Sequence, residues 1–161
     1  MIRPRRPTPG FSFIELIASL AIMGVLLLAA MPVAQLAMKR RQELELRQAL
    51  GEIRAGLDRY KRAADAGRVA VESGASGYPP DLQVLVDGVE DIASPKRAKL
   101  YFLRRIPSDP FYPGKVDDPA QTWGLRSYAS PADQPEEGED VFDVYSLSGE
   151  RGLNEVPYAQ W

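Results

Sequence analysis

The sequence contains no cysteine and no histidine among its 161 residues. Without them the chain has no disulfide, no thiol nucleophile, no thiolate zinc site and no histidine acid–base group. Its formal net charge of −2 gives no strongly basic surface, so we expect no nucleic-acid partner. P-loop, dinucleotide-binding and G-x-S-x-G motifs are also missing from the sequence. These absences indicate a structural protein rather than an enzyme.

A long uncharged apolar segment lies near the N-terminus. Residues 1–10 are basic and proline-rich, and residues 16–38 then carry no charged side chain. A helix of about 20 apolar residues spans the hydrocarbon core of a bilayer, whereas a secretory signal has an apolar region of only about 7–15 residues. An ordinary single-span anchor is the alternative. It leaves Glu15 unexplained, because an unpaired charge at the edge of a membrane segment is costly.

Residues 10–16, GFSFIEL, resemble the type IV prepilin motif, which has glycine, phenylalanine and glutamate at this spacing before an apolar helix. The resemblance implies that a prepilin peptidase cleaves between Gly10 and Phe11 and that the new Phe11 amine is N-methylated. In a filament, the Phe11 ammonium and the Glu15 carboxylate can neutralise each other, most usefully between neighbouring subunits. The resemblance further implies a helix break between Gly24 and Pro32 in the assembled filament.

The helix is expected to continue past the membrane segment. Apolar residues recur there at a spacing of four and three, which predicts one apolar stripe on a helix that ends near residues 64–67 and packs on a small sheet. The stripe consists of Leu46, Leu50, Ile53, Leu57 and Tyr60. The expected fold class is α+β and pilin-like: a long N-terminal helix, half transmembrane and half soluble, packed on a small antiparallel sheet.

The predicted domain organisation has three parts: a cleaved leader at residues 1–10, a transmembrane and filament-core helix at 11–38, and a periplasmic head at 39–161. The head divides further into the helix continuation at about 39–64, a variable region at about 65–122 and a C-terminal β-sheet at about 123–161.

Within the head, we expect one short helix and one strand pair. The helix is predicted over about 81–88, with Leu82, Leu85 and Val86 facing inward. Residues 89–122 are predicted to be irregular, with a strand-like or extended stretch at 99–106. Strands are predicted at 124–129 and 141–147, joined by an acidic loop that we interpret as solvated.

The C-terminal half carries a second resemblance, to the major (G-type) pseudopilin of type II secretion systems. The matching segments are YP at 78–79, RIPSDP at 105–110, WG at 123–124, DVYSL at 143–147 and the final Trp161. The resemblance implies a single-pass protein of the bacterial inner membrane with a cytoplasmic N-terminus and a periplasmic head. Its partners would be further copies of itself in a pseudopilus, minor pseudopilins, the inner-membrane assembly platform and the prepilin peptidase.

That family often binds calcium in the loop after the DVYSL strand, with aspartates and backbone carbonyls as ligands. Here the loop reads SGERGLNEVPYAQW and is poor in aspartate. Its candidate Ca²⁺ ligands are Ser148, Glu150, Asn154 and Glu155. The alternative is a loop closed by packing of Leu153, Val156, Tyr158 and Trp161.

Three other functions stay open at this point. A type IV pilin for adhesion, motility or DNA uptake usually has a C-terminal disulfide loop, and this chain has no cysteine. A minor pseudopilin would share the N-terminal motif, although one tip subunit characteristically lacks the glutamate found here as Glu15. A single-span anchored periplasmic protein that never polymerises would keep an uncleaved N-terminus.

Overall fold

The computed structural model describes residue 10 and residues 12–161 of the chain. The first helix, α1, covers Phe13–Asp65. A short helix and two antiparallel sheets of two strands each follow it. The expected α+β architecture of a long N-terminal helix with small antiparallel sheets is therefore confirmed. The chain divides into two compact units, Met1–Arg40 and Arg41–Trp161, which we call the N-terminal unit and the head unit.

The core of the head unit forms around the apolar stripe predicted on α1. All five residues of that stripe are at most 6% exposed, which confirms the prediction. The helix ends at Asp65, within the expected limits, and Gly67 follows it with a positive φ of 67°. The other members of the core come from most of the later elements and include Leu85, Phe102, Trp123, Val144 and Tyr158.

The short helix of the head unit, α2, covers Gln83–Asp87 and confirms the helix predicted over 81–88, at reduced length. Leu82 and Leu85 are buried as expected, whereas Val86 is half-buried. A helix of this length depends on its packing, because short isolated helices are unstable in water.

A small β-hairpin follows α2, where irregular structure was predicted. Val89–Glu90 (β1) pairs antiparallel with Lys99–Leu100 (β2). The prediction of an irregular region was wrong here, because strands of two residues are too short to show an alternating pattern in the sequence. Of the stretch 99–106, only the first two residues are in a strand, and Pro119–Thr122 forms a 3₁₀ helix.

The second sheet consists of Trp123–Arg126 (β3) and Asp143–Ser146 (β4), which confirms the two predicted strands with shorter ends. They pair antiparallel, with Trp123, one residue before the predicted start of its strand, opposite Ser146. Along β4, Val144 and Ser146 are 0% exposed while their neighbours are half-buried. This alternation is the period of two expected for a strand with one buried face.

Candidate assembly segment and C-terminal loop

The start of α1 holds Glu15 in the first helical turn. The Ser12 carbonyl accepts a hydrogen bond from the Leu16 N–H at 3.1 Å, and the Glu15 carbonyl accepts one from the Ser19 hydroxyl at 2.7 Å. A carboxylate in the first turn is favourable, because the unpaired N–H groups there give the helix end a partial positive charge. The sequence around Glu15 therefore suits a helix that begins just after the predicted cleavage point.

The predicted cleavage point lies at the edge of the described residues. Gly10 is exposed and lies outside any helix or strand. Phe11, the predicted site of N-methylation and the partner of Glu15, lies outside the described residues. Cleavage, methylation and the assembly contact between Phe11 and Glu15 stay predictions.

The apolar side chains of the N-terminal unit are exposed along α1. Leu20, Leu26 and Val33 are 61%, 64% and 67% exposed. The described side chains of the uncharged stretch at 16–38 are all exposed. By length and composition the helix is able to cross a membrane.

Gly24 and Pro32, the predicted limits of a helix break, both lie inside α1, which is continuous through them. Proline at an interior position removes one backbone donor and weakens the preceding turn. Since the predicted break belongs to the assembled filament, it stays a prediction.

In the head unit, three of the motif segments with the second resemblance meet in one buried polar cluster. The Trp123 indole N–H donates to the Pro107 carbonyl at 2.7 Å, and the Ser146 hydroxyl donates to Asp109 Oδ2 at 2.5 Å. The Asp109 N–H in turn donates to Thr122 Oγ1 at 3.0 Å. Asp109 is 4% exposed, and its carboxylate accepts hydrogen bonds from the Ser146 hydroxyl and from the Phe111 N–H at 2.8 Å, which offset part of the cost of burying it.

Arg54 of α1 connects the helix to β4 and to the last residue. Its Nε donates to Asp143 Oδ1 at 2.7 Å, and its Nη2 donates to the carbonyls of Val144 at 3.2 Å and Trp161 at 2.7 Å. A planar guanidinium provides several donors in fixed directions, so one side chain holds both segments.

The C-terminal loop, residues 148–161, closes on a buried glutamate that was not among the predicted site residues. Glu43 of α1 is 8% exposed. Its Oε1 accepts hydrogen bonds from the Leu153 N–H at 2.7 Å and from the Tyr158 hydroxyl at 3.1 Å. A signal for this role was present, because Glu43 lies three residues before Leu46 and so extends the buried stripe of α1 by one position.

Aromatic packing accounts for part of the loop closure. Tyr158 is 0% exposed, stacks on Phe111 at 4.1 Å between ring centroids and meets Trp161 edge to face at 5.0 Å. Burial and the hydrogen bond to Glu43 raise the pKa of Tyr158 above its ordinary value. The packing alternative predicted four residues, and the other two do not fit it: Leu153 is 42% and Val156 is 37% exposed.

The four candidate calcium ligands are engaged in the loop or exposed. Ser148 Oγ accepts the Glu150 N–H at 3.3 Å, and Asn154 Oδ1 accepts the Val156 N–H at 3.2 Å. Glu150 and Glu155 are exposed, and Glu155 has a positive φ of 62°. Within residues 12–161 and residue 10, no group of three or more Asp, Glu, His or Cys side chains could hold a metal ion.

Comparison with known proteins identifies the N-terminal segment. Residues 5–31 match the family model of the prokaryotic N-terminal methylation motif. Searches of the curated proteins and of the solved structures gave no match. The motif and the apolar helix support a type IV pilin-like protein that undergoes prepilin processing and is anchored in a membrane by one span. Proteins with this motif are structural subunits.

Proposed function

We propose that this protein is the structural subunit of a type II secretion pseudopilus, which polymerises in the periplasm to help move folded proteins across the outer membrane. The observation that carries the proposal is the methylation-motif match over residues 5–31, with Glu15 in the first turn of an exposed apolar helix. The prepilin-type motif around Glu15 is what separates this reading from a simple anchor, because a carboxylate in the first turn alone also suits any helix start.

Cleavage after Gly10 would place a charged amine four residues from Glu15. In an apolar environment each charge alone is costly, whereas a pair is tolerated. If the Phe11 ammonium of one subunit pairs with Glu15 of the next, the contact forms at only one axial offset and sets the register of the filament. The exposed apolar side chains of the N-terminal unit then pack against neighbouring subunits instead of lipid.

The assignment to the major pseudopilin depends on the head unit. The segments RIPSDP, WG and DVYSL are far apart in the sequence, and Asp109, Trp123 and Ser146 bring them into one buried hydrogen-bonded cluster. This supports the second resemblance, because residues matched by chance would not be expected to contact each other. A chain without cysteine also lacks the disulfide loop usual in adhesive pilins.

The proposed location is the inner membrane, with the leader in the cytoplasm and the head in the periplasm. Three arginines precede Gly10, and basic residues tend to stay on the cytoplasmic side of a span. The proposed partners are a prepilin peptidase, the assembly platform, the minor pseudopilins and further copies of this chain.

Mass spectrometry of the N-terminal peptide tests processing. After co-expression with a prepilin peptidase, the mature chain should begin at N-methylated Phe11, and Gly10→Val should abolish that product. An N-terminus that stays at Met1 in the presence of the active peptidase would contradict the proposal and favour the uncleaved anchor.

Glu15→Ala tests assembly. The variant should insert and be processed normally, but filaments in the sheared fraction should fall by at least about tenfold, because an unpaired buried ammonium costs more than 1.4 kcal/mol. Glu45→Ala, which removes an exposed carboxylate from the same helix, is the matched control and should assemble normally. Secretion of exoproteins should fall with filament content. Normal filaments from Glu15→Ala would contradict the register role.

A further inference from the structure

The C-terminal loop presents hydrogen-bond donors to its anchor. The Leu153 N–H and the Tyr158 O–H both point at Oε1 of Glu43, at 2.7 Å and 3.1 Å. A loop that binds a hard cation such as calcium presents carbonyl and carboxylate oxygens instead. The loop therefore presents hydrogen-bond donors, as a turn that binds a carboxylate does.

The loop also satisfies its own main chain. The Gly152 N–H donates to the Val156 carbonyl at 2.9 Å, and the Glu155 N–H donates to the Gly152 carbonyl at 3.0 Å. The Glu155 carbonyl accepts a hydrogen bond from Arg151 Nη1 at 3.0 Å. Asn154 Oδ1 also accepts the Val156 N–H, so the three carbonyl oxygens and this side-chain oxygen already accept hydrogen bonds that fold the turn.

The turn lies tightly against the carboxylate at Gly152. A Cβ at this position would come within 2.5 Å of Trp161 Cζ2, 2.6 Å of Asn154 Oδ1 and 3.3 Å of Glu43 Oε1. Only glycine allows the backbone to approach the ring and the carboxylate this closely. Gly152 is therefore the residue that this closed loop requires. Together with the donors that the loop points at Glu43, this packing does not fit a calcium site.

We infer that Glu43 takes the structural place of a bound calcium ion in this protein. The α1 carboxylate fixes the C-terminal loop, and the head unit keeps its folded loop without a metal. The inference concerns the fold of the head unit alone, so it stands whether or not the chain polymerises. It would make assembly of this subunit insensitive to periplasmic calcium.

Two substitutions of Glu43 test the anchor in the full chain, purified in detergent. Glu43→Ala leaves two donors without their acceptor and should lower the Tm by about 5–10 °C. Glu43→Gln keeps one acceptor oxygen and should lower the Tm by roughly half as much. Glu45→Ala is the matched control, since its carboxylate is exposed and pairs with Arg41 one turn away, and its Tm should not change.

A readout confined to the loop separates this role from a general loss of stability. Tryptic cleavage after Arg151 and hydrogen exchange of the Leu153 amide should both accelerate by at least about tenfold in Glu43→Ala at a temperature where the head unit is still folded. Both rates should stay at the wild-type value in Glu45→Ala. Equal rates in Glu43→Ala and the control would overturn the inference, as would equal Tm values for Glu43→Gln and Glu43→Ala.

A third experiment measures the effect of calcium on the Tm. The Tm of the wild-type chain should be the same in millimolar CaCl₂ and in excess EGTA, because a ligand stabilises only a protein that binds it. A rise of several degrees with CaCl₂ would overturn the inference and restore a calcium site. This result is independent of the processing and assembly tests, since it is measured on the purified chain.

Discussion

The N-terminal unit and the head unit both carry apolar side chains on α1, but among the side chains that the structure describes, those of the head unit are the buried ones. Leu26 is 64% exposed, whereas Leu46 on the same helix is 0% exposed. A contiguous exposed apolar surface of this kind marks contact with a membrane or with another protein. In the head unit, one face of α1 packs into the hydrophobic core. In the N-terminal unit, the described apolar side chains of α1 are exposed.

The two units differ in which parts of the sequence determine their structure. The head unit is specified by contacts between distant residues, such as Asp109 with Ser146 and Glu43 with Tyr158. The N-terminal unit is specified by local sequence: a prepilin-type motif, a carboxylate and an apolar helix. Its partners are therefore supplied by lipid before assembly and, in our proposal, by neighbouring subunits afterwards.

Truncating one leucine in each unit gives the largest expected contrast. Leu46→Ala removes a fully buried side chain and should lower the free energy of unfolding of the head unit by about 3 kcal/mol. Leu26→Ala should leave it unchanged, because its removal opens no cavity in the head unit. Both tryptophans of the chain, Trp123 and Trp161, lie in the head unit, so urea denaturation followed by tryptophan fluorescence reports on that unit.

In an assembly assay, by contrast, Leu26→Ala should have a clear effect. Leu26→Ala removes apolar contact area from the proposed filament core and should reduce filament content, although its head unit is as stable as that of the wild type. If Leu26→Ala destabilised the head unit as much as Leu46→Ala, the division of α1 into an exposed and a buried half would be wrong.

Substitutions of two glycines should change the free energy of unfolding by smaller amounts and in opposite directions. Gly124 on β3 lies opposite Tyr145, whose ring occupies the space that a Cβ would take, so Gly124→Ala should destabilise the head unit by about 1–3 kcal/mol. Gly51 lies on the exposed face of α1 with open space around it. Gly51→Ala should stabilise the helix by about 0.5–1 kcal/mol. Urea denaturation should show opposite shifts, and a stabilising Gly124→Ala would show that the Tyr145 ring moves without cost.

Local patterns predicted the helical part of the fold. The stripe from Leu46 to Tyr60 follows the helical repeat, and each of its members is buried. β4 is shorter than predicted at both ends, whereas β3 begins at Trp123, one residue before its predicted start, and ends at Arg126, before its predicted end. β2 lies in the stretch predicted to be strand-like, but its partner β1 and their pairing could not be predicted, since pairs of two residues are set by the packing around them.

The closure of the C-terminal loop was only partly predictable. Tyr158 and Trp161 were expected to pack, but Glu43 lies more than 100 residues from its partner Tyr158 in the sequence, and a glutamate on a helix is ordinarily exposed. Only its position in line with the buried stripe distinguishes it from Glu45, which is exposed. Long-range hydrogen bonds of this kind leave no periodic signal.

The smallest expected effect is a pH dependence confined to the head unit. Arg68 Nη2 lies 2.6 Å from Asp91 Oδ2, and Asp91 Oδ1 accepts the Ala93 N–H at 3.1 Å. The hydrogen bond from Arg68 holds the pKa of Asp91 below its ordinary value. Because the folded pKa is depressed, this stabilisation is complete above the unfolded pKa of about 3.9 and is lost as the pH falls through the folded pKa.

The Tm of the wild-type chain should therefore decrease as the pH is lowered below about 4; we call this decrease the acid limb. Asp91→Asn should make the acid limb less steep and should lower the Tm at neutral pH. Asp58→Asn, at an exposed position on α1, is the control and should keep the acid limb. An acid limb of Asp91→Asn that coincides with that of the wild type would show that other carboxylates produce it.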